Sequence, residues 1–186
     1  MTVSSDLDAR FRAAAADAGL LDAAYDLTES PIGTLLLAAS DRGLCRVSFT
    51  PDIEATRERL ARDFGPRVLR ASKPVDRARR ELDEYFEGRR TAFDLELDLR
   101  AAPEFHVQVL HELATVPYGQ VTTYGTLAKR VGHPTAARAV GVVMNRNPIP
   151  IVLPCHRVIG ANGSLVGYGG GLDVKERLLR LEGALL

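Results

Sequence analysis

The segment from Asn147 to Arg157 constrains the fold of this 186-residue chain more than any other. Asn147-Pro148 and Pro150 force an extended, sharply turned connection, because proline and the residue before it disfavour helix. The connection includes the apolar run Ile149–Leu153 and ends at Pro154-Cys155-His156-Arg157. The sequence therefore places a thiol, an imidazole and a guanidinium side by side, next to a segment apolar enough to be core.

Two interpretations of Cys155 follow from its neighbours. The thiolate is the nucleophilic form of cysteine, and nearby positive charge or a base such as His156 increases the fraction of thiolate. A free cysteine is more often a buried and inert core residue, and a Cys-His pair alone favours that interpretation. Glu182, near the end of the last predicted helix, adds a group that can orient the imidazole. Nucleophile, base and orienting acid together are the composition of a catalytic relay.

Length and composition describe an ordinary globular protein with room for one large domain or two small ones. Two cysteines, Cys45 and Cys155, cannot build a disulfide framework, and no close Cys/His spacing indicates zinc. No apolar run is long enough to cross a bilayer, and Met1–Asp6 lacks the pattern of a signal peptide. We therefore expect a cytoplasmic protein without a membrane segment or a structural metal.

The charges are distributed unevenly although the formal net charge is zero. No Asp or Glu occurs between Leu113 and Leu172, and this stretch carries five of the 24 basic residues, which leaves 19 basic against 24 acidic residues elsewhere. The five are Lys129, Arg130, Arg138, Arg146 and Arg157. A positive face on an otherwise acidic chain is typical of a polyanion site, and chance segregation of surface charge is the weaker alternative.

Residues 1–100 predict an α/β domain preceded by an extra N-terminal helix. The predicted strands are Ala24–Leu27, Thr34–Ala39, Leu44–Phe49 and Thr91–Leu99. The predicted helices are Asp6–Ala18, Ile53–Phe64, which follows Pro51-Asp52 as an N-terminal signal, and Val75–Phe86. Thr91–Leu99 alternates strictly between polar and apolar residues, which indicates a half-buried strand. Cys45 shares a strand face with Val47 and Phe49, so it is predicted to be a core residue. This half of the chain shows no constellation of reactive groups.

Residues 101–186 form the second predicted domain, after a junction at Ala101-Ala102-Pro103, and they are mainly helical. The predicted helices run from Phe105 to Val116, from about Thr123 to Val131 behind a Thr122 or Thr123 cap, from Ala136 to about Asn145 behind a Thr135 cap, and from Val174 to Leu181. Short helices around a glycine-containing turn are typical of helix-turn-helix motifs. Arg138 stands among alanines and Gly141, a surface small enough to approach a narrow groove, although the alanines could equally pack one helix on another.

The second half of the sequence resembles the O6-alkylguanine-DNA alkyltransferases, also called methylated-DNA–protein-cysteine methyltransferases. The matching segments are Val116–Gly119, Thr123–Ala128, Ala136–Gly141, Asn147-Pro148, Ile151–Gly160, Gly167–Leu172 and Lys175–Gly183. They cover nearly all of residues 105–183, and the cysteine motif with its upstream asparagine and arginine is highly specific. The first half matches more loosely, through Ser30-Pro31-Ile32-Gly33 and the strands after it.

The resemblance implies a ribonuclease-H-like N-terminal α/β domain and a winged helix-turn-helix C-terminal domain. It also implies single-turnover repair, in which an alkyl group moves from O6 of guanine (O4-alkylthymine being a second potential substrate) to the cysteine after the base is flipped out of duplex DNA. The partner would be the minor groove of double-stranded DNA, bound by a monomer, with no cofactor and no metal.

The same resemblance assigns roles to individual residues. Cys155 would be the acceptor, His156 would take its proton through a water, Glu182 would orient His156, Asn147 would brace the turn, and Tyr124 would rotate the nucleotide and serve as a proton donor. The residues assigned to DNA contact are Tyr124, Gly125, Thr135, Ala137, Arg138 and Arg157. Those assigned to the substrate pocket are Met144, Val158, Tyr168, Gly169 and Lys175, with Lys175 a second potential proton donor.

Two other functions remain open from the residues. A lesion sensor would flip damaged bases without chemistry, but such relatives lack the cysteine that Cys155 supplies here. A thiol hydrolase could use Cys155 and His156, but adjacent residues rarely form a nucleophile–base pair alone, and that function leaves Arg138 unexplained.

Overall fold

The computed structural model describes residues 5–49 and 52–185. Sequence predictions that concern residues 1–4 and Pro51 lie outside the described residues. The chain divides into two compact units, Met1–Asp83 with Asp94–Ala101, and Glu84–Phe93 with Ala102–Leu186. None of the helices in these described ranges is long and apolar enough to cross a membrane.

The first unit contains a mixed four-stranded sheet. Its elements are α1 (Ser5–Asp17), β1 (Ala23–Thr28), β2 (Leu35–Ser40), β3 (Gly43–Phe49), α2 (Ile53–Phe64), β4 (Val68–Arg70), a 3₁₀ turn (Lys73–Val75) and the part of α3 (Asp76–Phe86) that precedes Glu84. The strand order is β3-β2-β1-β4; β4 runs parallel to β1 and the other pairs are antiparallel. The sequence did not predict β4, because three residues are too few to show an alternation.

Helix α2 covers one face of this sheet. Asp52 caps it by accepting a hydrogen bond from the Ala55 amide, as an N-terminal aspartate should. Buried Leu60 packs against a cluster of sheet residues, among them Tyr25, Leu36 and Cys45. Apart from β4 and the segment Thr91–Leu99, the predicted order of strands and helices in this unit is confirmed, with ends that move by one or two residues.

Cys45 is a core residue, as predicted. Its side chain is 3% exposed, and its Sγ donates to the Ala38 carbonyl oxygen at 3.3 Å. Burial, together with the charge of Asp98, raises the pKa of Cys45 to about 12. This thiol is therefore protonated and inert at neutral pH.

The second unit is mainly helical. Its elements after residue 100 are α4 (Glu104–Ala114), β5 (Thr122–Thr123), α5 (Tyr124–Arg130), α6 (Ala137–Asn145), a 3₁₀ turn (Cys155–Arg157), β6 (Val158–Ile159) and α7 (Leu172–Leu181). The short strands β5 and β6 pair in parallel, with Thr122 opposite Val158. This pairing, which the sequence did not predict, ties the residues directly after Cys155 to the start of α5.

The helix caps of this unit were predicted in part. The Thr123 side chain accepts a hydrogen bond from the Thr126 amide at the start of α5, as expected. Thr135 does not cap α6: the helix begins at Ala137, its N-cap is Ala136, and no side chain makes a capping hydrogen bond there. The Ala136 amide instead donates to the His133 carbonyl oxygen at 2.9 Å, and the helix starts one residue beyond the position that a Thr135 cap would give.

The segment Glu84–Phe93 belongs to the second unit, whereas the sequence placed all residues up to 100 in the first domain. Aromatic packing explains the difference. The ring of Tyr85 lies 5.4 Å from that of Phe93 and 6.1 Å from that of Tyr118. An aromatic cluster of this kind buries a large apolar area, and no local pattern in the sequence indicates it.

The prediction that Thr91–Leu99 forms a strand is wrong. Its side chains do alternate between exposed and partly buried from Phe93 to Leu97, but only a single bridge joins Leu97 to Leu44. The Leu44 amide donates to the Glu96 carbonyl oxygen at 2.9 Å, and the Asp98 amide donates to the Leu44 carbonyl oxygen at 2.9 Å. The segment therefore contacts the start of β3 at one point and does not extend the sheet.

Gly43 makes this contact possible. Its φ of +132° is in the region that favours glycine, and a Cβ at this position would lie 2.2 Å from the Glu96 carbonyl oxygen. A backbone atom cannot move aside as the end of a flexible side chain can. Gly33 offers a comparison, because its φ is +107° but no atom lies within 4 Å of the corresponding Cβ position.

We expect Gly43→Ala to destabilise the protein more than Gly33→Ala. The second substitution carries only the backbone strain of a non-glycine residue at positive φ, about 1–3 kcal/mol, whereas the first adds a clash with Glu96. Urea unfolding of the two variants and the wild type measures the difference. Equal losses in the free energy of unfolding would show that the backbone at Glu96 can move away from a Cβ at position 43 without destabilising the protein.

Candidate active site around Cys155

The turn that presents Cys155 is braced by Asn147. The Asn147 Nδ2 donates to the Leu153 carbonyl oxygen at 2.8 Å, and its Oδ1 accepts from the Ile149 amide at 3.0 Å. Between them Ile151 has a φ of +76°, which is strained for a β-branched residue. Ile151 is fully buried. Its packing and the two hydrogen bonds of Asn147 stabilise a backbone conformation that the isolated peptide would not keep.

The Cys155 thiol lies at the start of a 3₁₀ turn and is 5% exposed. Burial raises its pKa to about 11, although a hydrogen bond from Asn147 and the positive charge of Lys175 act in the opposite direction. At neutral pH the resting group is the thiol. Nucleophilic use of Cys155 therefore needs a base that removes the proton.

His156 is the candidate base, and its tautomer is defined by its hydrogen bond to Glu182. Its ring is fully buried, and Nε2 lies 2.8 Å from Oε1 of Glu182. An ionised carboxylate can only accept, so Nε2 carries the hydrogen and Nδ1 carries the lone pair. Among the described residues no group hydrogen-bonds to Nδ1. Burial lowers the pKa of His156 in spite of Glu182, so the ring is neutral and able to take a proton.

Glu182 is the acceptor for a set of donors that converge on one buried carboxylate. Besides His156, its oxygens accept from Nε and Nη2 of Arg157 at 2.8 and 2.9 Å, from the Tyr85 hydroxyl at 2.7 Å, and from the Gly119 amide at 3.3 Å. Burial raises the pKa of Glu182, but the hydrogen bonds from His156, Arg157 and Tyr85 outweigh it and lower the pKa to about 2. The carboxylate is therefore ionised throughout the physiological range.

Arg157 does not have the position that the DNA-contact prediction requires. It is 6% exposed, its Nε and Nη2 bind Glu182, and its Nη1 donates to the Val116 carbonyl oxygen at 2.5 Å. The guanidinium also lies 5.9 Å from the centre of the Tyr118 ring. The structure thus contradicts a direct contact of Arg157 with DNA and makes it the counter-ion of Glu182.

The predicted pocket residues differ in how closely they approach the turn that begins at Cys155. Val158 is buried in β6, Met144 is buried in α6, and the Tyr168 ring meets the His156 ring edge-on at 6.5 Å between centres. The Lys175 ammonium is buried and donates to the Val158 and Val166 carbonyl oxygens at 2.6 and 2.8 Å. Gly169 is exposed, and a Cβ there would meet no atom within 4 Å.

The residues predicted to contact DNA, apart from Arg157, lie on or near α5 and α6. Arg138 and Thr135 are exposed, and Ala137 and Gly125 are half-buried in the first turns of the two helices. The ring of Tyr124, at the start of α5, lies 3.9 Å from the point that a Cβ at Gly141 of α6 would occupy. Burial and the negative charge of a Cys155 thiolate raise the pKa of Tyr124, so its phenol is electrostatically coupled to the cysteine.

Sequence reasoning missed two aromatic residues of this site. Tyr85 precedes Glu182 by 97 positions and lies in the half of the chain that showed no reactive groups. Tyr118, which stands in a matching segment, donates to the Leu181 carbonyl oxygen at 2.9 Å and received no role. No local signal identifies Tyr85. Among the described residues no group of three or more His, Cys, Asp or Glu side chains is arranged to hold a metal ion.

Glu182→Gln should destabilise the protein strongly near neutral pH, because it leaves Arg157 buried without a counter-ion, a loss of about 3–5 kcal/mol. Folding lowers the pKa of Glu182 from 4.5 to about 2, so the ionised carboxylate stabilises the fold above pH 4.5 and this contribution is lost as pH falls through 2. The difference between wild type and variant should therefore shrink across that interval. Urea unfolding at several pH values measures it.

Glu176→Gln is the matched control on the same helix. Glu176 pairs with Arg180 at 2.9 Å, but both side chains are about half exposed, so we expect a loss of less than about 0.5 kcal/mol. Similar losses in the two variants would contradict the role of Glu182 as a buried charge centre.

Two family models match the chain. The model described as "6-O-methylguanine DNA methyltransferase, ribonuclease-like domain" matches residues 23–99, and "6-O-methylguanine DNA methyltransferase, DNA binding domain" matches residues 104–184. Together they cover every element except α1, which precedes the first matched residue.

Two methylated-DNA–protein-cysteine methyltransferases are similar to this chain over most of their length. A methylated-DNA–protein-cysteine methyltransferase from Methanosarcina acetivorans is 44% identical over 168 residues, which cover 86% of this chain and 98% of the relative. One from Mycolicibacterium paratuberculosis is 46% identical over 160 residues, which cover 85% and 91%.

Solved structures agree with these matches. Mycobacterium tuberculosis OGT, solved in complex with DNA, is 40% identical with a TM-score of 0.76, over 87% of this chain and 93% of that one. The O6-methylguanine-DNA methyltransferase of Pyrococcus kodakaraensis is 28% identical with a TM-score of 0.60, over 87% and 99%. The buried Cys155, with His156 and Glu182 behind it, thus lies in a two-domain fold whose halves both match one family: the chain belongs to the methylated-DNA–protein-cysteine methyltransferases.

Proposed function

We propose that this protein repairs DNA by direct reversal, moving the alkyl group of O6-alkylguanine in duplex DNA onto Cys155 in a single turnover. The observation that carries the proposal is the relay of Cys155, His156 and Glu182, in which a buried thiol follows a braced turn and an oriented imidazole keeps Nδ1 available. Family membership over both halves of the chain supports the same reaction.

The chemistry follows from the protonation states of the relay. His156 takes the Cys155 proton at Nδ1, directly or through a water, and the imidazolium is stabilised by Glu182. The thiolate attacks the alkyl carbon, so a sulfur–carbon bond forms while the carbon–O6 bond breaks and its electron pair stays with guanine. Guanine takes up one proton as it leaves. The thioether that remains is stable, so each molecule reacts once and needs no cofactor.

The proton for the leaving guanine comes from Tyr124 in this proposal. Its phenol is coupled electrostatically to Cys155, and burial keeps it protonated. Lys175 is a poorer donor than the sequence suggested, because its ammonium already donates to two carbonyl oxygens in the interior. Lys175 instead acts on Cys155 by its charge, which lowers the pKa of the thiol.

DNA binding would use the exposed face of α6, in a winged helix-turn-helix arrangement beside a ribonuclease-H-like domain. This face carries Arg138, Ala139, Val142, Asn145 and Arg146, all exposed and without an acidic residue. Guanine O6 is inaccessible inside a duplex, so the base has to be flipped out at a cost of a few kcal/mol. Arg138 would enter from the minor groove and occupy the vacated space. We further propose that the protein acts as a monomer in the cytoplasm.

Incubation with duplex DNA that contains O6-methylguanine should add one methyl group to Cys155 and no more. Intact-mass measurement followed by peptide mapping detects the product. Cys155→Ala should abolish the addition, whereas Cys45→Ala should retain it, since Cys45 is a buried core thiol whose pKa is raised to about 12. Repeated turnover, or methylation that survives Cys155→Ala, would sink the proposal.

Arg138→Ala should slow repair of duplex DNA by roughly tenfold or more, because each 1.4 kcal/mol lost from the flipped state is a factor of ten. The reaction with free O6-benzylguanine should change little, since that substrate needs no flipping. Single-turnover rates on the two substrates give the comparison. Arg62→Ala, which removes the same charge from an exposed position on α2 in the first unit, is the control and should affect both reactions only weakly. Equal losses on both substrates for Arg138→Ala would refute the proposed role.

A further inference from the structure

Glu182 can serve His156 only if its carboxylate keeps one orientation. Arg157 binds both oxygens, with Nε on Oε2 and Nη2 on Oε1, and the Gly119 amide adds a longer contact to Oε2. The oxygen that faces His156 is Oε1, and it also accepts from Tyr85 at 2.7 Å. Apart from His156 itself, Tyr85 is thus the one neutral side-chain donor, among the described residues, to Oε1 of Glu182.

The position of Tyr85 is fixed by its surroundings. The residue is fully buried at the end of α3, and its ring packs against Phe86, Phe93 and Tyr118 at 5.4 to 6.1 Å between centres. Burial and the charge of Glu182 raise the pKa of Tyr85, so the phenol stays protonated and donates. A ring with so little freedom aims its hydroxyl at one point, which is Oε1.

We propose that Tyr85 is a positioning residue for alkyl transfer, whose hydroxyl holds Oε1 of Glu182 against His156 Nε2 and moderates the attraction of the carboxylate for a proton on the imidazole. This rests on the proposed function of Cys155. The residue acts through Glu182 and His156 and touches neither the thiol nor the substrate.

The sign of its effect follows from the charges around His156. The titratable and charged groups around the His156–Glu182 pair come from five places in the chain: Tyr85 from α3, Tyr118 from the loop after α4, Cys155 and Arg157 from the 3₁₀ turn, Tyr168 from the segment Gly167–Leu172, and Lys175 from α7. Arg157 and Lys175 disfavour a proton on His156, whereas Glu182 favours it. A hydrogen bond from Tyr85 withdraws charge from Oε1 and so weakens the favourable interaction.

Tyr85→Phe should therefore raise the pKa of His156 and move the acid limb of the pH–rate profile to higher pH. Free O6-benzylguanine is the substrate, so that DNA binding does not enter. At pH 6 we expect the reaction to slow by roughly three- to tenfold, a small part of the ~10²–10⁴ that general acid–base catalysis contributes. Titration of the His156 ring nitrogens by ¹⁵N NMR measures the pKa directly and in the absence of any reaction.

Tyr118→Phe is the matched control. It removes a hydroxyl from the same aromatic cluster, but one that donates to the Leu181 carbonyl oxygen at 2.9 Å and not to Glu182. Its acid limb and His156 titration should coincide with those of the wild type. If Tyr118→Phe shifts both as Tyr85→Phe does, the effect belongs to packing and the inference is overturned.

Site-specific replacement of Tyr85 by 3,5-difluorotyrosine tests the same idea without removing the hydrogen bond. The more acidic phenol is a stronger donor, so the acid limb should move to lower pH, opposite to Tyr85→Phe. This variant retains the ring, so it remains informative if Tyr85→Phe fails to fold. An unchanged His156 titration would overturn the role of Tyr85 alone, whereas a wild-type protein inert toward O6-benzylguanine would overturn the proposed function.

Discussion

Burying a carboxylate in a protein interior is costly unless opposite charge and hydrogen bonds replace the lost water, and the second unit is built around such a replacement at Glu182. Its donors come from the end of α3, the loop after α4, and the 3₁₀ turn that begins at Cys155. The carboxylate thus connects segments far apart in sequence. Its low pKa of about 2 is the measure of how well those donors compensate for burial. Because Glu182 is ionised at neutral pH, it always accepts a hydrogen bond from His156, so the neutral imidazole keeps its hydrogen on Nε2.

The turn before Cys155 contains a strained residue, Ile151, which the surrounding structure has to hold in place. Ile151 at a φ of +76° would relax in a free peptide, and it is maintained by complete burial and by the two hydrogen bonds of Asn147. The 3₁₀ turn carries both Cys155 and His156, so one short segment supplies the proposed nucleophile and the proposed base. Long-range contacts are needed only for the acid that orients the base. A four-residue motif therefore indicates the reaction, whereas the residues that hold Glu182 in place come from segments far apart in the sequence.

Sequence patterns therefore predicted the features that depend only on residues close together in the chain. Helix α2, the Asp52 cap, the Thr123 cap and the buried state of Cys45 follow from spacing and side-chain type within a few residues. The alternation of Thr91–Leu99 was read correctly as partial burial but wrongly as a strand, because alternation does not show whether a partner strand is present. Paired strands of two or three residues, such as β5 and β6, carry no periodic signal at all.

Local sequence patterns also failed to predict the positions of two residues at the site, Arg157 and Tyr85. An acid-free stretch of sequence suggested five cations on one surface, yet Arg157 binds an acid 25 residues away and is withdrawn from solvent. Counting charge along a chain cannot reveal a counter-ion that lies beyond the window. Tyr85 is the converse case: it comes from a stretch of sequence without reactive groups, and its hydroxyl donates to the buried carboxylate of Glu182. Only the aromatic packing of α3 and Tyr118 brings it there.

The two cysteines show that burial alone does not decide the chemistry of a thiol. Cys45 and Cys155 are 3% and 5% exposed, and burial raises the pKa of both, to about 12 and about 11. Cys45 donates to a backbone carbonyl oxygen, and its neighbour Asp98 raises the pKa further. Cys155 has Asn147 and Lys175 to favour the thiolate, and His156 beside it in the chain with a free lone pair. A buried thiol is therefore reactive when its surroundings can accept a proton and tolerate the negative charge that remains, and the hydrogen bonds at Glu182 maintain the first of these conditions.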